Sequence, residues 1–87
     1  MWFVYILRCA GNSLYIGETD NLQARLTRHS KGTASIFTAS RRPVELVYTE
    51  SHSGQLPALR LERQLKRWTR AKKEALIAGD VARLKAL

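Results

Sequence analysis

With 87 residues, 45% of them hydrophobic, the chain has the length of one small domain, expected over residues 1–87, and a globular rather than disordered composition. Its single cysteine, Cys9, excludes an internal disulfide framework, and no stretch approaches the ~18 to 20 apolar residues of a membrane span, so we expect a soluble cytoplasmic protein. Fifteen Lys and Arg against seven Asp and Glu give a net charge of +8, which predicts a polyanionic partner. Nucleic acid is favoured over an acidic membrane, because the basic residues are mixed with apolar ones throughout the chain.

The N-terminal segment predicts a β-hairpin. Trp2–Arg8 is rich in aromatic and β-branched residues and apolar on both alternating faces until Arg8, as in a central strand. Residues 10–13 read Ala-Gly-Asn-Ser, which is typical of a turn, and Leu14–Glu18 is the expected returning strand.

A helix, a loop and a third strand are expected next. Asp20 and Gln23 form a capping box that would start the helix, and Gly32 would end it. Residues 33–42 show no period and predict a loop. Val44–Glu50 alternates apolar and polar residues, which predicts a strand.

The C-terminal third predicts helices. Pro57 suits the first turn of a second helix, Thr69 would cap a further helix ending at Gly79, and Asp80 would cap a short terminal one. The residues at helical spacing in the second helix are Ala58, Leu61, Leu65 and Trp68. The order β-β-α-β-α-α predicts an α/β protein of the α+β type, with a small, mostly antiparallel three-stranded sheet flanked by helices.

Two tripeptides in the hairpin resemble the paired signature of the GIY-YIG nuclease family. Phe3-Val4-Tyr5 is a degenerate first copy, and Tyr15-Ile16-Gly17 is an intact second copy. Arg25, His29 and Glu62 follow at the family's spacing. The resemblance covers nearly all of the chain, is strongest to the small stand-alone bacterial members, and implies a compact α/β nuclease module.

Tyr5 and Tyr15 lie on adjacent strands of the expected hairpin, so their hydroxyls could converge on one edge of the sheet. A tyrosine with an ordinary pKa near 10 is a poor base unless nearby positive charge favours the phenolate, which Arg25 or a bound metal would do. A tyrosine in a small strand is otherwise a packing residue. The resemblance implies a catalytic role for both, and the residues do not decide which one is the base.

Arg25 and His29 are four residues apart in the first expected helix and therefore share a face. The guanidinium of Arg25 matches phosphate oxygens, and His29 could move a proton or donate a hydrogen bond to phosphate. The structural alternatives are a solvated helix residue and a helix-end cap. The resemblance implies that both residues are catalytic.

Glu62 borders the apolar stripe of the second helix, and the local alternatives are a metal ligand or an ion pair with Lys66. The resemblance implies a metal-binding Glu here, with Mg²⁺ or Mn²⁺ as the cofactor. Glu18 departs from relatives that carry a lysine at this position. Thr38, in the expected loop, resembles a threonine often found there and is expected to bind phosphate.

Further DNA contacts are expected from basic residues in the loop and the later helices. Backbone contacts carry no sequence information, and no recognition element for bases is present. The expected phosphate contacts are Arg41, Arg42, Arg60, Arg63, Arg67, Arg70, Lys72 and Lys73.

The resemblance implies a metal-dependent DNA endonuclease with little sequence preference, either unselective or selective for branched or flapped structures, in DNA repair or recombination. The alternatives are a non-catalytic nucleic-acid-binding module that keeps the fold and an adaptor that depends on a larger protein partner. The sequence leaves the oligomeric state open.

Overall fold

The computed structural model describes residues 1–87 and confirms the expected sheet. Three antiparallel strands, β1 (Trp2–Cys9), β2 (Leu14–Thr19) and β3 (Val44–His52), lie in the order β2-β1-β3. β1 takes the centre because it is apolar on both faces. Its residues Val4–Leu7 are all fully buried, as a strand covered on both sides requires.

The β1–β2 hairpin places the two signature tripeptides side by side. Tyr5 pairs with Gly17 across the strands, and Leu7 pairs with Tyr15. Because side chains alternate along a strand, Ile16 and Glu18 share one face of β2 while Tyr15 and Gly17 share the other. The two faces of this edge strand therefore carry different parts of the candidate site.

Helices cover both faces of the sheet. α3 packs on the face of β1 and β2 that carries Ile16, where Val4, Ile6, Ile16, Ala58 and Leu65 form the buried core. The helices are α1 (Leu22–Lys31), α2 (Ile36–Ala39), α3 (Gln55–Arg67), α4 (Arg70–Ala78) and α5 (Val81–Ala86).

Two expectations in the first half of the chain are corrected. The N-cap of α1 is Asn21 rather than Asp20, because the Thr19 hydroxyl accepts the Asn21 N–H and holds that residue where its own side chain accepts the N–H of Ala24. The segment expected as a loop contains the single helical turn α2. Gly32 ends α1 at φ 77, as expected.

The second half follows the expected order of elements. Thr69 caps α4, Gly79 ends it at φ 70, and Asp80 caps α5. A bidentate ion pair between Arg8 and Glu74, with N–O distances of 2.6 and 2.8 Å, joins β1 to α4. None of the helices has the length and apolar character needed to cross a membrane.

Candidate active site

Tyr5 lies in the interior beneath the edge strand, folded across the backbone of β2. It is fully buried, and its ring passes over Gly17. A Cβ atom at position 17 would lie 2.5 Å from the Tyr5 hydroxyl oxygen, a distance at which no side chain could remain. The second signature therefore ends in glycine because the first signature's tyrosine occupies the space of a side chain there.

A hydrogen-bond chain runs inward from Tyr5. Its hydroxyl lies 2.8 Å from His29 Nε2, and His29 Nδ1 lies 2.9 Å from the Thr38 hydroxyl, which is 3.3 Å from the carbonyl oxygen of Ser35. Tyr5, His29 and Thr38 are each fully buried. In this conformation neither His29 nor Thr38 can touch a bound phosphate, which corrects the expectation that Thr38 is a phosphate contact.

Burial keeps this chain neutral. It raises the pKa of Tyr5 to about 12, with a further increase from Tyr15, while the nearby Arg25 guanidinium opposes the shift. Burial also lowers the pKa of His29, and the positive charges of Arg25 and Arg28 lower it further. At neutral pH Tyr5 is therefore a phenol and His29 a neutral imidazole.

Tyr15 is the tyrosine that reaches solvent. It is partly exposed, and its ring centroid lies 5.2 Å from that of His29 and 6.4 Å from that of Tyr5. On its other side it stacks on Phe37 at 6.1 Å, and the Arg41 guanidinium covers the Phe37 ring at 3.8 Å.

A depression of about 240 Å³ opens beside Tyr15. Tyr15 and Phe37 supply aromatic walls, and Leu14 and Ile16 are also apolar. Lys66 and Lys73 add positive charge to the same lining. An apolar, aromatic surface with two ammonium groups suits a nucleotide, which carries both a flat base and a phosphate.

Glu62 lies where α3 packs on β2. One turn separates it from fully buried Ala58, and its side chain is only 13% exposed. Lys66 Nζ lies 3.4 Å from Glu62 Oε1, so the ion pair considered from the sequence is present. The carboxylate that the family resemblance singles out is thus held at the helix–sheet interface.

Glu18 faces the same interface from β2, two residues beyond Ile16. Its Oε2 atom is buried and has no hydrogen-bond partner. Burial raises the pKa of the Glu18 carboxyl, the negative charge of Glu62 raises it further, and Arg25 opposes the shift. Two carboxylates and one guanidinium therefore act on one another here.

These carboxylates fit a hydrated divalent cation. An unpartnered carboxylate oxygen beside a second, largely buried carboxylate offers the hard oxygen ligands that Mg²⁺ and Mn²⁺ prefer. No group of three or more His, Cys, Asp or Glu side chains is arranged to hold a metal. Waters and phosphate oxygens would therefore have to complete the coordination.

The arginines expected to contact DNA fall into two groups. Arg60, Arg63 and Arg67 are exposed on the side of α3 opposite the stripe that carries Ala58 and Glu62, and hence face away from the site. The others bond within the protein. Arg41 donates to the Phe37 carbonyl, Arg42 to the Ala39 and Ser30 carbonyls, and Arg70 to Asn12 and Glu74.

The structure adds site residues that the sequence analysis did not select. Phe37 had no visible signal, because its approach to Tyr15 depends on how α2 packs. Lys73 was expected only as a general phosphate contact, and the packing of α4 brings it to the lining beside Tyr15. Glu18 did have one, since it follows the second signature directly and departs from the lysine of some relatives.

Comparison with known proteins finds a matching family model and several similar proteins. Residues 1–75 match the family model described as the GIY-YIG catalytic domain. The chain is 41% identical over 78 residues to a UPF0213 protein of Natronomonas pharaonis, covering 90% of this chain and 92% of that protein. It is 47% identical over 72 residues to a UPF0213 protein of Pediococcus pentosaceus, covering 83% and 76%.

A solved structure shows the same fold. The solution NMR structure of a UPF0213 protein from Bacillus halodurans superposes with a TM-score of 0.59 at 35% identity, covering 90% of this chain and 84% of that one.

Proposed function

The chain belongs to the GIY-YIG family, and on that premise we propose that it is a metal-dependent DNA endonuclease that hydrolyses phosphodiester bonds with little sequence preference. The observation that carries the proposal is the packing of Tyr15 against the hydrogen-bonded Tyr5–His29 pair, where the charges of Arg25 and Glu62 act on Tyr5. A packing role alone would not require a guanidinium and a carboxylate so near a buried tyrosine. A role in DNA repair or recombination, and selectivity for branched DNA, remain part of the proposal.

Arg25 and the carboxylates of Glu18 and Glu62 would have different roles at the scissile phosphate. The permanent charge and planar fork of Arg25 suit the phosphate oxygens, where negative charge grows in the transition state. Glu62, with Glu18 beside it, would hold the cation. A bound Mg²⁺ or Mn²⁺ supplies Lewis-acid polarisation of the phosphate and makes a coordinated water more acidic.

The tyrosines have different roles in this proposal because their exposure differs. Tyr15, partly exposed, can contact the attacking water or the phosphate directly. Tyr5 and His29 are fully buried and would hold Tyr15 in position from the interior of the protein. The proposed catalytic set therefore narrows to Tyr15, Arg25 and the cation, with Tyr5 and His29 positioning them.

Contacts between DNA phosphates and the lysines around the depression would provide the binding affinity for DNA. Lys66 and Lys73 line it beside Tyr15, and their charges would follow the DNA backbone. Such contacts release counterions and read no bases, so binding should depend steeply on salt and weakly on sequence.

A non-catalytic nucleic-acid-binding module, or an adaptor for a larger protein, is the second candidate. The ion pair between Lys66 and Glu62 favours it, because a carboxylate held by a lysine is not free for a cation. The pair is weak, however, since the Lys66 side chain is 53% exposed. A divalent cation would displace it readily.

A cleavage assay distinguishes the two candidates. Supercoiled, linear and branched DNA would each be incubated with the protein and Mg²⁺, Mn²⁺ or a chelator. An endonuclease cleaves at least one of these with a divalent cation and none with chelator. DNA binding without cleavage under every condition would contradict the proposal and support the binding module.

A further inference from the structure

We infer that Thr38 is a positioning residue that fixes the tautomer of His29 and thereby makes the Tyr5 oxygen an acceptor toward Arg25. Tyr5, His29 and Thr38 are fully buried and are joined by two short hydrogen bonds. Its functional consequence rests on the proposed nuclease activity, whereas the tautomer itself does not.

At the inner end of the chain, the Thr38 hydroxyl donates to the Ser35 carbonyl oxygen at 3.3 Å. The Thr38 oxygen is then free to accept the N–H of His29 Nδ1 at 2.9 Å. A neutral imidazole carries a proton on only one ring nitrogen, so His29 Nε2 is unprotonated and accepts the Tyr5 O–H at 2.8 Å.

Counting buried hydrogens favours this arrangement over its reverse. With Nδ1 protonated, the hydrogens of Tyr5, His29 and Thr38 all have acceptors. With Nε2 protonated, His29 donates to Tyr5, whose own buried hydrogen then has no acceptor, because His29 Nε2 is the one acceptor within hydrogen-bond distance of that hydroxyl. An unpaired buried donor costs about 1 to 3 kcal/mol, enough to decide between two tautomers.

The tautomer decides what Tyr5 presents to the site. With its hydrogen directed inward to His29, the Tyr5 oxygen turns only lone pairs outward. The Arg25 guanidinium beside Tyr5 is a donor, so these lone pairs can accept its hydrogen bond. The reversed tautomer would direct the Tyr5 hydrogen outward and leave the Arg25 guanidinium facing a donor.

Nitrogen chemical shifts of His29, from long-range ¹H–¹⁵N correlation spectra at neutral pH, test the inference directly. The chain has two histidines, and a His52→Gln variant assigns the signals. The parent should show the Nδ1–H tautomer. Thr38→Val, which keeps the shape but removes the acceptor, should shift His29 toward Nε2–H, and Thr38→Ser should restore the parent tautomer.

Cleavage rates test whether the His29 tautomer matters for activity. Thr38→Val should lose about tenfold or more in single-turnover rate, while Thr38→Ser should keep most of the parent rate. An Nε2–H tautomer in the parent would overturn the inference even if Thr38→Val failed to fold. So would a folded Thr38→Val variant that kept the parent tautomer and rate. A parent that cleaves no DNA would contradict the proposed function and leave the tautomer result standing.

Discussion

Replacing Gly17 with alanine probes the packing of the two signatures against each other. The added Cβ would lie 2.5 Å from the Tyr5 hydroxyl oxygen and 2.6 Å from its Cζ, whereas ordinary contact begins at 3.4 Å. The Tyr5 ring would therefore have to move by about 0.9 Å. Because Tyr5 is fully buried, it has no free space to move into.

The expected cost has two parts. Overpacking a buried site costs about 1 to 3 kcal/mol, and a lost Tyr5–His29 hydrogen bond adds about 1 kcal/mol. In a domain of this size, each kcal/mol lowers the melting temperature by about 4 to 8 °C. Cleavage should fall by about tenfold or more, since the displaced phenol no longer supports Tyr15.

Thermal melts and single-turnover cleavage by Gly17→Ala and Gly54→Ala check this result. Gly54, the N-cap of α3, is the matched control, because its added Cβ would meet nothing closer than Pro57 Cδ at 3.9 Å, so that variant should lose at most about 1 kcal/mol in unfolding free energy, from the poorer cap alone. Parent-like stability and cleavage in Gly17→Ala would refute the account of how the site is packed.

Tyr15→Phe should lose about a hundredfold or more in single-turnover cleavage rate. Tyr5→Phe should lose less, because the Tyr5 hydroxyl does not reach solvent. Equal rates for the parent and Tyr15→Phe would remove Tyr15 from the catalytic set. The Arg8 ion pair lowers the pKa of Glu74 to about 2, so its stabilisation is full above pH 4.5 and is lost as the pH falls toward 2. Because both side chains are partly exposed to solvent, the ion pair stabilises the fold by only about 1 kcal/mol. Urea unfolding at pH 7 should therefore find Glu74→Gln less stable than the parent by that amount, and the difference should vanish near pH 2. Lys73→Gln should weaken DNA binding and flatten its salt dependence more than Arg63→Gln; the reverse order in a binding titration would place the DNA on the outer side of α3.

The sequence was sufficient to predict the fold because local signals and burial agree along most of it. β1 is apolar on both faces and occupies the centre of the sheet, and Gly32 and Gly79 end helices in the left-handed conformation that favours glycine. The error at the start of α1 arose because Asp20 and Asn21 are both good caps. The Thr19 hydroxyl decides between them.

The family resemblance selected Tyr5, Tyr15 and Glu62 for the proposed site but did not give their arrangement. Nothing local in the sequence shows that Tyr5 is fully buried while Tyr15 reaches solvent. That difference follows from the ring of Tyr5 filling the space over Gly17. Thr38 was expected to bind phosphate because it resembles a threonine often found there in the family, but α2 turns it inward to His29.

Single-turnover cleavage of one labelled DNA substrate by Glu62→Gln, over a titration of Mn²⁺, tests the central claim most directly. The substitution keeps the shape of the side chain but removes its charge, and Glu45→Gln, an exposed carboxylate on β3, is the control. A metal-dependent endonuclease with Glu62 as its ligand predicts that Glu62→Gln folds and binds DNA but cleaves at background rates, while Glu45→Gln matches the parent. A folded Glu62→Gln variant with the parent's rate and the parent's Mn²⁺ dependence would contradict the account.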